Sequence, residues 1–154
     1  MLEIIARLGV LALVSLVPWL LVWSGRRFVE TRRQRVLAAL PPAVLSGSSD
    51  EDTHSSASPV RILAFSSADC HQCHTLQAPA LQRVLEARGA TVAVMEVDAP
   101  SSPELVQHYQ VLTVPTTVVL DATGHAQAVN YGFANTQRLL EQVDAVLVQV
   151  VSID

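Results

Sequence analysis

The chain has two cysteines, and they stand three positions apart in Cys70-His71-Gln72-Cys73, where one periodicity gives way to another. Before them, Val60 to Phe65 is a largely apolar run of strand length. After them, Leu76, Ala80, Leu81, Val84 and Leu85 recur at helical spacing. A chain written this way carries both sulfurs at a strand-to-helix junction. The first cysteine then sits at a helix N-terminus, where unpaired N–H groups and the helix dipole favour a thiolate. The second lies one turn on, close enough to attack a mixed disulfide and release its product. One pair is too few to staple a chain of 154 residues, so the cysteines point to exchange chemistry rather than to a disulfide scaffold.

The elements around this junction can be taken in order. Val60–Phe65 is the first strand, and Asp69 is placed to cap the helix that carries the cysteines. Pro79 should bend that helix, and Gly89 closes it. Residues 91–97 read as a buried strand, because they alternate too little for an exposed one. Ser101-Ser102-Pro103-Glu104 combines a cap, a first-turn proline and an acid, and starts a short helix ending near Tyr109. Residues 116–120 form a third strand, Asp121 to Gly124 a turn, and Gln127–Tyr131 a fourth strand in a hairpin with the third. Asn135 opens a last helix with Leu139, Leu140, Val143 and Leu147 inward. The fold class is α/β, in the order β-α-β-α-β-β-α. His108 and His125 are expected at the surface.

The N-terminal part obeys different rules. Ile4 to Trp23 is almost wholly apolar, and a helix of that length spans roughly 30 Å, the thickness of a bilayer's hydrocarbon core. Trp19 and Trp23 suit its interface, and Pro18 is tolerated in such a helix. Residues 1–25 therefore read as a transmembrane helix rather than a signal peptide, since the positive charge comes after the apolar run and no small-x-small site succeeds Trp23. Residues 1–45 carry six arginines against two acids. Five of them, Arg26, Arg27, Arg32, Arg33 and Arg35, mark a basic juxtamembrane helix over 26–45, which Pro41-Pro42 ends. By the positive-inside rule these arginines place the remainder of the chain in the cytoplasm, on a single-pass cell-membrane protein. Residues 46–58, rich in Ser and acids, read as a flexible linker. The folded domain is expected over 59–154. Residues 59–154 carry four arginines against nine acids, which speaks against a nucleic-acid partner.

The element order, Cys70-x-x-Cys73 after the first strand, Val114-Pro115-Thr116 before the third, Val97-Asp98 after the second and Gly132 after the hairpin together resemble the thioredoxin-like family over about residues 59–150. The resemblance implies a cis peptide before Pro115, packed against the dithiol, with the Val114 backbone free to pair with an extended substrate strand. It implies a thiol–disulfide oxidoreductase of protein disulfides, with Cys70 the nucleophile, Cys73 the resolving thiol and no cofactor beyond the Cys70–Cys73 disulfide itself. Membrane-associated proteins would be its partners. The chain also departs from the family's pattern. The usual Trp before the first cysteine is Asp69, the Gly-Pro pair is His71-Gln72, and the basic residue after the second cysteine is His74. The family's buried Asp falls on Ala64 and its Lys partner on Val94.

Those departures leave the tuning of the dithiol to its neighbours. A protonated His71 lowers the Cys70 pKa, Asp69 raises it, and water, His71 or His74 must take the proton of Cys73. Other readings of the motif stand beside exchange. Cys-x-x-Cys-His is also the attachment motif of c-type haem, with His74 as axial ligand. A zinc or copper site would need further ligands. An electron-carrying or metal-handling module serving a membrane redox complex is the main alternative, and a pure interaction module is another.

Overall fold

A four-stranded sheet organises the chain from Val60 onward. Its strands are β1 (Val60–Ser66), β2 (Val92–Asp98), β3 (Thr116–Asp121) and β4 (Ala126–Tyr131), in the spatial order β2-β1-β3-β4. The computed structural model describes residues 2–39 and 58–151, with side chains over 16–39 and 58–149. β1 runs parallel to β2, with Val60 opposite Val92 and Ala64 opposite Glu96. It runs antiparallel to β3, with Phe65 opposite Thr116 and Val60 opposite Asp121. β3 and β4 form the expected hairpin.

As a central strand, β1 sends alternate side chains to opposite faces, and both faces are covered. Val60, Ile62 and Ala64 join a core with Leu81 and Val84 of helix α2 (Ala78–Arg88) and with Leu139, Val143 and Val146 of helix α4 (Thr136–Val151). Leu63 and Phe65 enter a second core with Val118, Leu120 and Tyr109, the last just past helix α3 (Pro103–His108). Fully burying a side chain such as Phe65 or Leu63 stabilises the fold by about 1.5–3 kcal/mol. Burial pushes the Tyr109 phenol up to about 12, against the opposing pull of Arg61.

The structure carries the expected order β-α-β-α-β-β-α, with three corrections of detail. β2 lies at the sheet's edge, so only Val92 and Val97 of its seven residues are buried, and Glu96 is exposed. Its weak alternation reflects a missing neighbour, not burial on both sides. Pro79 is accommodated by a π-helical turn over Cys73–Gln77, in which the Ala78 N–H donates to the Cys73 carbonyl five residues back. Proline has no N–H to offer the carbonyl four back, and widening the turn by one residue re-pairs the ladder around it. Of the residues expected inward on α4, Leu139 and Val143 are buried and Leu140 and Leu147 only partly, while Val146 is buried too. Gly89 ends α2 with φ +54 and its N–H on the Leu85 carbonyl. Asn135 caps α4, its Oδ1 accepting the Arg138 N–H at 2.9 Å.

The chain divides into two compact units, Met1–Arg35 and Val36–Asp154. Helix α1 (Leu2–Leu37) runs without interruption through Pro18 and through the basic residues to Arg35. Trp19 and Trp23 stack at 6.5 Å, and the Arg27 guanidinium lies 4.6 Å above the Trp23 ring. The transmembrane helix expected over 1–25 is not supported. Among the described residues, no helix is long and apolar enough to cross a membrane. The expected linker 46–58, apart from Ser58, and the end of the basic helix at Pro41-Pro42 lie outside the described residues.

Candidate active site

The reactive end of the sheet arises from the register. Phe65 faces Thr116 and Thr116 faces Tyr131, so the end of β1, the start of β3 and the end of β4 lie side by side. Three loops leave from there: Ser67–Cys70, Val114-Pro115 and Gly132–Asn135. Cys70 and Cys73 are joined by a disulfide, with their Cα atoms 5.3 Å apart. Cys70 is half-buried and precedes the first helical residue, whereas Cys73 is buried at 5% exposure. The sulfur a partner can reach is therefore that of Cys70.

The helix start is capped by Cys70 itself rather than by Asp69. Its Sγ accepts the Cys73 N–H at 3.2 Å, and its carbonyl accepts the Cys73 and His74 N–H groups at 3.0 and 3.3 Å. A sulfur at the N-cap position takes up one of the otherwise unpaired N–H groups of the first turn. The same N–H is in place to hold negative charge on Cys70 when the disulfide opens. Asp69 and His71 are exposed. His74 is exposed as well, and its ring Nε2 donates to the Ala68 carbonyl at 3.2 Å.

The Val114–Pro115 peptide is cis, as the resemblance implies. Pro115 is buried, Val114 half-buried, and the Pro115 carbonyl accepts the Gly132 N–H at 2.9 Å. Gly132 holds φ +86, a conformation that favours glycine, and so lets the chain turn away from β4 directly beneath Pro115. Ala64 is buried at 5% exposure on the floor below Cys73, and Val94 is half-buried. Among the described residues, no three His, Cys, Asp or Glu side chains gather as a metal site would require.

Two residues not singled out from the sequence belong to this site. Gln77 is buried at 3% exposure at the end of the π-helical turn. Its Oε1 accepts the Ala134 N–H at 3.0 Å and its Nε2 donates to the Ala134 carbonyl at 3.2 Å, tying the cysteine-bearing turn to the loop beneath Pro115. The signal was a polar residue on the stripe otherwise set by Cys73, Leu81 and Val84. Glu96 lines, with Ala64, Phe65, Ser66, Cys73, Gln77, Ala78 and Leu81, an open cleft behind Cys73. Its signal was an acid interrupting the apolar run of β2.

Residues 45–145 match the family model for thioredoxin. Solved structures similar to this chain include a chloroplastic thioredoxin z, at 22% identity and a TM-score of 0.55, over 71% of this chain and 92% of that one. A thioredoxin from Halobacterium salinarum is 23% identical, with a TM-score of 0.53 over 65% and 85% of the two chains. Thioredoxin-2, described as a component of the malaria parasite's protein secretion machinery, is 20% identical, with a TM-score of 0.52 over 56% and 82%. No curated protein matches the chain.

Proposed function

The chain belongs to the thioredoxin family, and from that membership we propose that it is a protein thiol–disulfide oxidoreductase working through Cys70 and Cys73. The observation that carries this reading is the asymmetry of the pair. Cys70 is half-buried and takes an N–H on its sulfur, whereas Cys73 is buried one turn behind.

In the reducing direction, the Cys70 thiolate attacks one sulfur of a partner disulfide. A Cys70–partner bond forms, the partner's own S–S bond breaks, and its other sulfur leaves as a thiolate that takes up a proton. Cys73 then loses its proton and attacks Cys70. The Cys70–Cys73 bond forms, the mixed disulfide breaks, and the partner departs reduced by two electrons. A dithiol donor upstream returns Cys70 and Cys73 to the thiol state. The partner's extended segment lies along the Val114 backbone, where Pro115 brings no N–H of its own to compete, and this aligns the partner's disulfide with Cys70.

We place this activity at a membrane, on its cytoplasmic side. Supporting this, Leu16, Val17, Trp19, Leu20, Leu21, Val22 and Trp23 are all exposed on α1, and arginines 26 to 35 come immediately after. An apolar surface of that extent beside a basic flank suits a bilayer and its anionic headgroups. The reducing compartment there favours the reductase direction.

The test is capture. Cys73→Ala leaves the first step and removes the second, so partners should accumulate covalently on Cys70, and the Cys70→Ala, Cys73→Ala double variant should capture none. Membrane proteins should dominate the captured set, the protein should pellet with membranes, and residues 59–154 should resist protease added to intact spheroplasts. Equal capture by the single and double variants would overturn the exchange reading. A soluble fraction, or digestion from outside, would overturn the placement.

A further inference from the structure

The second step of the exchange cycle requires an acceptor for the proton of Cys73. The attacking species is a thiolate, and an ordinary thiol, with a pKa of about 8.5, is mostly protonated at neutral pH. Cys73 is buried, so its sulfur meets solvent only slightly. Behind it lies the open cleft lined by Ala64, Phe65, Ser66, Cys73, Gln77, Ala78, Leu81 and Glu96. The cleft is open to solvent and has room for about one ordered water molecule.

We propose that Glu96 receives the proton of Cys73 through water in this cleft, and so acts as the proton-accepting residue of the second step. Among the cleft's lining residues, only Glu96 and, once the disulfide is reduced, Cys73 carry an ionisable side chain. β1 contributes Ala64, Phe65 and Ser66, and the helix contributes Gln77, Ala78 and Leu81, none of them ionisable. Gln77 has both ends of its amide committed to Ala134 and cannot serve instead. His71 and His74 do not line the cleft, and the ring of His74 is turned onto the Ala68 carbonyl. The register explains the placement. Glu96 is paired with Ala64 across two parallel strands, so both project on the face that the cysteine-bearing helix covers. Ala64 leaves room beside Cys73 that a larger side chain would fill. Because β2 is an edge strand, the Glu96 carboxylate is exposed, and the proton it receives can pass on to solvent.

This proposal rests on the exchange reading, and its test separates the two. The full chain is reduced and mixed with Ellman's reagent. Attack by Cys70 releases one thionitrobenzoate and leaves a second bound as a mixed disulfide on Cys70, and attack by Cys73 releases that second one. If wild type releases both while Cys73→Ala releases only the first, exchange through the pair stands whatever Glu96 does. In Glu96→Gln the first release should be unchanged, and the second should slow by about a hundredfold at pH 7, the low end of general acid–base contributions. Its rate should then climb about tenfold per pH unit toward the ordinary thiol pKa of about 8.5, whereas wild type stays nearly flat across neutral pH. Glu96→Asp should recover most of the lost rate. Identical pH profiles for wild type and Glu96→Gln would overturn the proposal, as would an Asp variant as slow as the Gln variant. A second release that is faster in Glu96→Gln would also overturn it, showing that the carboxylate only repels the Cys73 thiolate.

Discussion

The two ends of the sheet are held in different ways. Where β1 finishes and β3 begins, the chain is fastened by backbone and amide contacts. These are Gly132 on the Pro115 carbonyl, Ala99 on the Ser66 carbonyl, and the Gln77 side chain on both polar groups of Ala134. At the opposite end, charged side chains do the fastening. Asp121 accepts from the backbone N–H groups of Thr123 and His125, from the Thr123 hydroxyl and from Gln127. Arg88 forks onto Asp144 through Nε at 2.7 Å and Nη2 at 2.6 Å. The fastenings where β1 finishes and β3 begins are thus uncharged, although at the neighbouring end of β2 the Asp98 carboxylate accepts the Ser101 N–H at 3.2 Å. The remote end closes turns with charges that have no access to the chemistry. Substitutions at the remote end should therefore change stability alone, and those at the reactive end should change activity first.

The largest effect expected is at Cys70. Cys70→Ser should abolish turnover of a model disulfide while the reduced variant unfolds at nearly the temperature of the reduced wild type. Loss of stability on the scale of a core deletion would break the contrast, because it would make the pair structural. Next comes Gln77→Ala, which sits at the junction of both roles. Leaving the N–H and carbonyl of the buried Ala134 unpaired should cost about 1–3 kcal/mol in denaturant unfolding. Because the same loop holds Pro115 through Gly132, KM for a protein disulfide should rise while kcat changes little.

Much of the reactive end was legible in the sequence. Cys70 and Cys73 announced a strand-to-helix junction by the change in periodicity around them. Asn135, Gly89 and Asp121–Gly124 announced element boundaries through cap and turn chemistry. Pro115 and Gly132 could be placed only by resemblance, since nothing local distinguishes a cis proline. Whatever depended on a strand's neighbours was not legible. Residues 92–98 show the same weak alternation whether a strand is central or at an edge, so the exposure of Glu96 needed the strand order. The π-helical turn was half visible, because Pro79 signals that the ladder must adjust but not how. Asp69 is a better capping residue than cysteine by propensity, yet the loop gives the N-cap position to Cys70, one residue later.

At the remote end, Asp121→Ala should destabilise by about 1–2 kcal/mol through the loss of its hydrogen bonds and leave disulfide turnover unchanged. Burial alone would raise the Asp121 carboxyl, but the hydrogen bonds from Thr123, Gln127 and His125 hold it below its ordinary value. A carboxyl depressed by folding stabilises fully above the unfolded aspartate pKa of about 3.9 and loses that contribution as pH falls through the folded value. The gap between wild type and Asp121→Ala should thus be constant from about pH 5 to 7 and narrow below about pH 4. A gap that persists under acid would mean that the loss comes from the turn's shape, not from the carboxylate.

The smallest effect should come from Arg88 and Asp144, even though their contact has the better geometry. The side-chain hydrogen bond from Arg88 lowers the Asp144 carboxyl, and the pair joins the end of α2 to the middle of α4. Both side chains remain substantially open to water, at 31% and 45% exposure. Water therefore screens the charges in the folded state and solvates them nearly as well when the chain unfolds, so little difference is left to stabilise the fold. A double-mutant cycle with Arg88→Met and Asp144→Asn should give a coupling smaller than the effect of Asp121→Ala. It should shrink further between about 0.01 and 1 M salt, as the Debye length falls from about 30 to 3 Å. A coupling that is large and indifferent to salt would show the fork acting as a packed hinge between the two helices. The charged fastenings of the remote end would then differ among themselves as much as they differ from the amide fastenings of the reactive end.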